Sequence, residues 1–217
     1  KAGSGAGQEL LGANSIEVYD ATNLGHGPVR FANIESFTLK QLVQSSGDIE
    51  LISRGDFDLG IDLATAGGSI RIDSGGGLVL GTDVTTGDGS IELSSGARFD
   101  LIGNVVSGGG YITLSSGGLF DLTGTVTTNS GNVLLNSIGC VLSGVVSTED
   151  GDILLVSNGL VDLIGTVSSG DGNIELISGD SFDLSGNVRT SAGNILLSSN
   201  GGFALIGEVD TYDGNVL

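Results

Sequence analysis

The feature that most constrains this chain is a glycine that returns at a fixed interval over most of its length. The step is 21 residues throughout, except for one step of 20 residues between Gly131 and Gly151. Repetition at such a fixed period is typical of a solenoid, in which each unit packs mainly against its two neighbours. The glycines are Gly47, Gly68, Gly89, Gly110, Gly131, Gly151, Gly172, Gly193 and Gly214.

Each repeat contains three short runs in which apolar and polar residues alternate, the pattern of a strand with one buried face. In one repeat the predicted inward residues are Ile174, Leu176, Phe182, Leu184 and Val188. Three strands leave no room for a helix, and three sides of about seven residues close a small triangle. The sequence therefore predicts an all-β fold: a right-handed, single-stranded parallel β-helix (β-solenoid) with three strands per coil, coils of about 21 residues and about ten coils.

The first residues fit this pattern less well. Residues 1–26 are predicted to be an irregular N-terminal segment with one strand, at residues 15–19, followed by a loop over residues 20–28. A degenerate coil is predicted from Gly27 to Ser46, so that residues 27–217 form the β-helix. Because no capping helix or polar terminal coil is recognisable, we expect these residues to be a segment of a longer solenoid.

The charge of the chain excludes several classes of partner. There are 7 Lys and Arg residues against 26 Asp and Glu residues, a formal net charge of -19. This balance repels a phosphate backbone and an anionic bilayer, so nucleic acid is not an expected partner. No apolar run approaches the roughly 18 residues that span a membrane, so membrane insertion is not expected either. The single cysteine, Cys140, takes the place of Phe in a core column and is predicted to be a packed, inert thiol.

Aspartate recurs at an outward position in the middle of the second run. Parallel stacking places Asp100 beside Asp121, and Asp162 beside Asp183, roughly 5 Å apart. Two carboxylates at that distance have the spacing of a retaining glycosidase and are also suited to Ca²⁺. However, these residues recur by repetition and no long loop walls a cleft, so a solvated face is the preferred interpretation. We therefore predict no enzyme activity, no cofactor and no catalytic or metal-binding residues, with Asp100, Asp121, Asp162 and Asp183 as the only candidates for ion binding, Ca²⁺ in particular.

Two further columns carry hydroxyl groups. Ser occupies one corner position in every complete repeat, and Thr or Ser occupies another. Their spacing from the inward residues predicts that both columns point inward, where a hydroxyl needs a backbone partner. A nucleophilic serine would need a base, and the single histidine, His26, lies outside the regular repeats. An ice-binding array would need outward Thr. Among outward residues, Leu134, Leu154 and Leu196 form either a small apolar patch for lateral contacts or ordinary exposed leucines.

Three repeats carry a family resemblance most clearly: GNIELISGDSFDLSGNVRT, GNILLSSNGGFALIGEVDT and GSIELSSGARFDLIGNVVS. They resemble the repeats of filamentous-haemagglutinin-like exoproteins, the large adhesins of bacterial two-partner secretion. The resemblance covers the chain from Gly47 onward. It implies a long right-handed β-helical fibre at the surface of a Gram-negative bacterium, secreted through an outer-membrane pore.

On that resemblance we expect an extracellular structural or adhesive fibre segment that acts as a stiff rod and presents a surface for attachment. Its expected partners are a host or neighbouring-cell surface, extracellular matrix or polysaccharide, and further β-helix coils of the same chain or copies of itself. Two alternatives remain open: a β-helix that binds or cleaves polysaccharide, and a subunit that assembles end to end into a filament.

Overall fold

The computed structural model describes residues 8–12, 20–23, 27–33, 37–39, 41–44 and 46–217. These residues form an all-β solenoid of parallel strands and contain no helix. Three long sheets make its three sides, and eight coils carry a strand in each of them, so the solenoid makes about eight full turns. The coils are named by number: coil 1 is residues 47–67, coil 2 is 68–88, coil 3 is 89–109, coil 4 is 110–130, coil 5 is 131–150, coil 6 is 151–171, coil 7 is 172–192 and coil 8 is 193–213.

The sheets are named in the order in which a coil visits them. The first sheet contains Gln8–Gly12, Val29–Asn33, Ile49–Ser53, Ile70–Ser74, Ile91–Ser95, Ile112–Ser116, Val133–Ser137, Ile153–Ser157, Ile174–Ser178 and Ile195–Ser199. The second contains Phe37–Leu39, Phe57–Leu59, Leu78–Leu80, Phe99–Leu101, Leu119–Leu122, Gly139–Leu142, Val161–Leu163, Phe182–Leu184 and Phe203–Leu205. The third contains Leu63–Thr65, Val84–Thr86, Asn104–Ser107, Thr125–Thr128, Val145–Thr148, Thr166–Ser169, Asn187–Thr190 and Glu208–Thr211. A separate pair is Asp20–Asn23 with Gln41–Gln44.

Equivalent residues of successive coils stack directly on one another. Ile91 pairs with Ile70 on one side and with Ile112 on the other, a step of one repeat in each direction. The 20-residue coil keeps this register, because Phe120 pairs with Cys140 and Ser137 pairs with Ser157. Its missing residue therefore falls in the corner between the first and second sheets, inside the interval predicted from the sequence.

The inward columns form one continuous core along the axis. In coil 3 the side chains of Ile91, Leu93, Phe99, Leu101 and Val105 are at most 1% exposed. Contacts also run between coils: the rings of Phe99 and Phe120 meet edge to face with centroids 4.9 Å apart. Because each coil covers the core of the next, stability is shared between neighbours and does not belong to any single coil.

The repeating glycine is explained by the distance between stacked backbones. A Cβ atom placed on Gly89 would lie 2.0 Å from the carbonyl oxygen of Gly68, far inside van der Waals contact. The same approach recurs one coil later, where a Cβ on Gly110 would lie 2.2 Å from the carbonyl oxygen of Gly89. Only glycine allows the coils to stack this closely at the corner before the first sheet.

The structure extends the stacking into the first residues of the chain. Gln8 pairs with Val29, and Asp20 pairs with Gln41. Asp20–Asn23, predicted from its sequence to be loop, is therefore a strand: pairing with a neighbouring strand outweighs the weak strand preference of Asp and Asn. The predicted strand at residues 15–19 lies outside the described residues. In the degenerate coil, Val29 and Phe31 are buried.

Candidate functional site

The serine column closes the corner between the first and second sheets. Ser95 is buried; its Oγ lies 2.8 Å from the carbonyl oxygen of Gly76 and 2.9 Å from that of Arg98, and it accepts the N–H of Ala97. The column is buried from coil 1 to coil 7. The prediction that these hydroxyls point inward is confirmed, and in coils 1 to 4, 6 and 7 they bond the corner backbone as expected. In the short coil 5, Ser137 is buried but has no such bond among the described residues. His26, considered as a base, lies outside the described residues.

The Thr/Ser column closes the corner between the third sheet and the next coil. Thr128 Oγ1 donates to the carbonyl oxygen of Gly110 at 3.1 Å and accepts the N–H of Gly131 at 3.2 Å. One hydroxyl thus joins the anchor glycines of two successive coils. This column is buried in coils 1 to 7, so the ice-binding arrangement, which needs outward Thr, does not occur there.

The first pair of candidate ion ligands faces a cation of the protein itself. Asp100 and Asp121 are register neighbours in the second sheet, as predicted. The guanidinium of Arg98 reaches both: Nε lies 2.5 Å from Asp100 Oδ1 and an Nη atom lies 2.9 Å from Asp121 Oδ2. The bond to Asp100 and the charges of both carboxylates raise the pKa of Arg98. One arginine therefore bridges the two coils and offsets the charge that would attract a metal ion.

The second pair has no such neighbour. Asp162 and Asp183 are register neighbours, and no Lys or Arg within the described residues forms an ion pair with either. The described part of the chain contains no group of three or more His, Cys, Asp or Glu residues arranged to hold a metal ion. Ion binding by Asp162 and Asp183 stays a prediction.

Cys140 lies in the core of coil 5, where its side chain is 1% exposed. Burial raises the pKa of the thiol to about 12, and the charges of Asp121 and Asp162 act in the same direction. Since the thiolate is the reactive form, this cysteine stays protonated and unreactive at neutral pH. Its position in the core matches the prediction from the sequence.

A column that the sequence analysis missed lies on the residue after each anchor glycine. Asn132 Oδ1 accepts the N–H of Asp152 at 2.9 Å, and Asp152 Oδ1 accepts the N–H of Asn173 at 2.7 Å. The ladder continues in the same way through Asn194 to Asn215. The signal is present in the sequence as Asn, Asp or Ser after every anchor glycine except Gly110, but these residues belong to no strand, so alternation does not reveal them.

Tyr111 interrupts this ladder. Its hydroxyl donates to Glu92 Oε1 at 2.7 Å, and this bond together with the carboxylate charge raises the pKa of the tyrosine. The ring is 48% exposed and stands between two cavities on the outside of the first sheet, one of about 360 Å³ and one of about 550 Å³. We call the larger one the Tyr111 groove; it runs over coils 4 to 7.

Two of the three outward leucines line this groove. Leu134 pairs with Leu154 in the first sheet, and Glu175 separates Leu154 from Leu196. Leu134 and Leu154 are only partly exposed and contribute to the wall of the Tyr111 groove, whereas Leu196 does not line it. Of the three predicted patch residues, two therefore share a concave surface.

No family model, curated protein or solved structure matches this chain. Among the described residues there is also no helix long and apolar enough to cross a membrane.

Proposed function

We propose that this chain is a non-enzymatic rod of an extracellular fibre, and that it belongs to a large bacterial surface exoprotein of the filamentous-haemagglutinin-like kind. The rod gives reach and stiffness, and its outward columns present a surface for attachment. Its partners are a host or neighbouring-cell surface, extracellular matrix or polysaccharide. The proposed location is the surface of a Gram-negative bacterium, reached by secretion.

One observation supports the rod above all: the constancy of the coil beneath a variable exterior. The buried hydroxyls, the anchor glycines and the apolar columns repeat from coil to coil, while the outward residue of the first sheet changes from Arg71 to Glu92 to Thr113 to Leu134. A scaffold whose interior is fixed and whose exterior varies is suited to presenting a surface. The acidic charge keeps neighbouring rods apart in solution.

Two finer features of the architecture belong to the same proposal. We propose that the solenoid winds to the right, the usual hand for a connection between parallel strands, and that the chain makes about ten coils. Ten coils at a spacing of about 4.8 Å give a rod of roughly 45–50 Å.

Attachment is tested with beads that carry the folded chain. Beads coated with folded protein and beads coated with the same density of heat-unfolded protein are washed over epithelial cells and over immobilised polysaccharide. We expect the folded coating to retain several times more beads on at least one surface. Equal retention of the two coatings on every surface would contradict an adhesive role.

Cleavage of polysaccharide is the competing function, and the unneutralised pair Asp162 and Asp183 is the observation in its favour. We expect no release of reducing sugar from a panel of polysaccharides, with or without Ca²⁺. Hydrolysis by the native protein that disappears in the double variant Asp162→Asn, Asp183→Asn, while the fold persists, would replace the rod with an enzyme.

A further inference from the structure

The backbone is incompletely bonded where Tyr111 breaks the ladder. In neighbouring coils the backbone N–H of the residue after the anchor glycine donates a hydrogen bond to a side chain of the preceding coil. The N–H of Ser90 donates to Ser69 Oγ, and the N–H of Asp152 donates to Asn132 Oδ1. The backbone N–H groups of Tyr111 and Asn132 have no acceptor among the described residues. Two backbone donors are therefore left for solvent or a ligand.

The side-chain amide of Asn132 adds a third donor. Its Oδ1 is used by Asp152, while its Nδ2 has no partner in the described part of the chain. Asn132 lines the Tyr111 groove, as does Tyr111 itself. Donors on the wall of a concave surface can fix the orientation of a bound molecule.

Part of the wall of the groove is apolar. Leu134 and Leu154 pair side by side in the first sheet and line the groove together with the ring of Tyr111. An aromatic ring with a polar tip and a neighbouring aliphatic surface favour a ligand that also has an apolar face and a polar edge.

Charge decides between ligands with those properties. Asp152 and Glu175 line the groove, and no Lys or Arg occurs anywhere between residues 99 and 188. An anionic ligand is repelled here, whereas hydroxyl groups can donate to the two carboxylates and accept from the backbone and side-chain N–H groups of Asn132. The smaller cavity differs, since Arg30 and Glu50 on its wall already pair with each other at 2.6 Å.

We propose that the Tyr111 groove binds an uncharged carbohydrate chain. A sugar ring has an apolar C–H face that fits Tyr111 and Leu134, and a rim of hydroxyls that matches the donors and carboxylates. Successive coils advance by about 4.8 Å, a distance comparable to one sugar unit of an extended chain, so neighbouring coils can meet neighbouring units. This inference deepens the proposed attachment role and rests on it for its biological setting, though binding itself is measured independently.

The test uses calorimetric titration of the full chain with four uncharged tetrasaccharides, built from glucose in β- and α-linkage, mannose and N-acetylglucosamine. We expect at least one to bind. Tyr111→Asn should weaken that binding at least tenfold, because it removes the ring and supplies an Oδ1 that can accept the N–H of Asn132, as the ladder does elsewhere. Leu154→Glu, which copies the residue of the next coil, should weaken it by a similar factor.

The matched control is Tyr212→Ala, which removes an exposed tyrosine that does not line the groove. It should leave the affinity unchanged. Thermal unfolding of Tyr111→Asn should be unchanged or shifted upward, which separates loss of the site from loss of the fold.

Failure of all four tetrasaccharides to bind would overturn the proposal, as would equal binding by Tyr111→Asn and the native chain. Tighter binding of a lysine-rich octapeptide at the same residues would overturn it in favour of a basic peptide. If the beads fail to attach while Tyr111-dependent sugar binding persists, the attachment role falls and the groove stands. If the beads attach equally well when they carry Tyr111→Asn and no sugar binds, the attachment role stands and the carbohydrate site is overturned.

Discussion

Coils 3 and 5 share one backbone register but differ in core, exterior and length. Coil 3 buries Phe99 and carries Arg98, which bridges two carboxylates on its surface. Coil 5 is one residue shorter, buries Cys140 in the equivalent slot and exposes Ile138, whose side chain is 54% accessible. Both stack with parallel neighbours on either side.

What the two coils retain shows what the fold requires. Each coil keeps its anchor glycine, its corner hydroxyl residues and five inward side chains. The charged residues on the outside differ between the two coils, but the strand register is the same. The constraints of this fold therefore lie in the contacts between coils. The volume of one core residue and the chemistry of the exterior can vary, which is why a groove can arise where one tyrosine replaces a ladder residue.

The anchor glycines should be equally indispensable in the two coils. Gly89→Ala and Gly131→Ala each place a Cβ 2.0 Å from a carbonyl oxygen of the coil before. We expect each to lower the free energy of unfolding by more than about 4 kcal/mol, measured by urea unfolding followed by circular dichroism. The control is Gly81→Ala, where nothing lies within 4 Å, and its effect should stay within about 1 kcal/mol. A loss of less than about 1 kcal/mol in Gly89→Ala would show that the coils can move apart at this corner with little loss of stability.

The core slot should respond differently in the two coils. Phe99→Cys copies coil 5 into coil 3 and should cost about 3 kcal/mol, because the surroundings of Phe99 are packed for a ring. Cys140→Val, which copies the residue of coil 6, should cost less than about 1 kcal/mol. Urea unfolding of both variants measures the contrast. Equal costs would mean that coil 5 is packed as tightly around its cysteine as coil 3 is around its phenylalanine.

Alkaline pH should weaken coil 5 specifically. Burial raises the pKa of Cys140 from an ordinary value of 9.0 to about 12, so the unfolded chain loses this proton first. The stability contributed by the neutral thiol is complete below pH 9 and is lost as the pH rises toward 12, by about 4 kcal/mol in total. The measurement is unfolding free energy against pH for the native chain and for Cys140→Val. Parallel curves for the two proteins would show that the thiol does not ionise differently on unfolding.

The corner hydroxyls should matter equally in both coils. Ser107 Oγ accepts the N–H of Gly110 and contacts the carbonyl oxygen of Gly89. Thr148 Oγ1 accepts the N–H of Gly151 and contacts the carbonyl oxygens of Gly131 and Asn129. Ser107→Ala and Thr148→Val should each cost about 2 kcal/mol, because the N–H of Gly110, which is partly buried, or of Gly151, which is buried, loses its acceptor.

The control for the hydroxyl variants is Ser147→Ala, which removes an outward hydroxyl next to Thr148 and should change stability by no more than about 0.5 kcal/mol. Amide hydrogen exchange at Gly110 and Gly151 gives a local readout. Protection that survives loss of the hydroxyl would show that another group satisfies the glycine N–H.

The inward half of the structure could be predicted from the sequence because it is local and repeated. Alternation placed Phe99 and Leu101 in the core, and the same parity placed Ser95 inward at a corner, where a hydroxyl has to find a backbone partner. The 20-residue step located the short coil. Each of these features depends only on the two-residue period of a strand and on the stacking of equivalent residues, and both can be deduced from the repeated sequence pattern.

The candidate site could be predicted only in part, because it depends on side-chain direction at corners. Nothing in the spacing indicates that the Arg98 guanidinium turns toward Asp100 and Asp121, since that contact requires one rotamer among many. The position of Tyr111 between two cavities likewise depends on the hydrogen bond from its hydroxyl to Glu92 in the preceding coil. The strand Asp20–Asn23 was missed because its own residues favour a turn and only a partner strand makes it extended.

The anchor glycine also has a genetic consequence. Each one is constrained by a carbonyl oxygen a single repeat away, and the residue that imposes the constraint is itself the glycine of the preceding repeat. A duplicated repeat therefore carries the glycine that it needs in order to stack closely on the repeat before it and under the repeat after it. A solenoid of this design can change length by copying or losing whole repeats, so that its length can evolve independently of the surface displayed by any one coil.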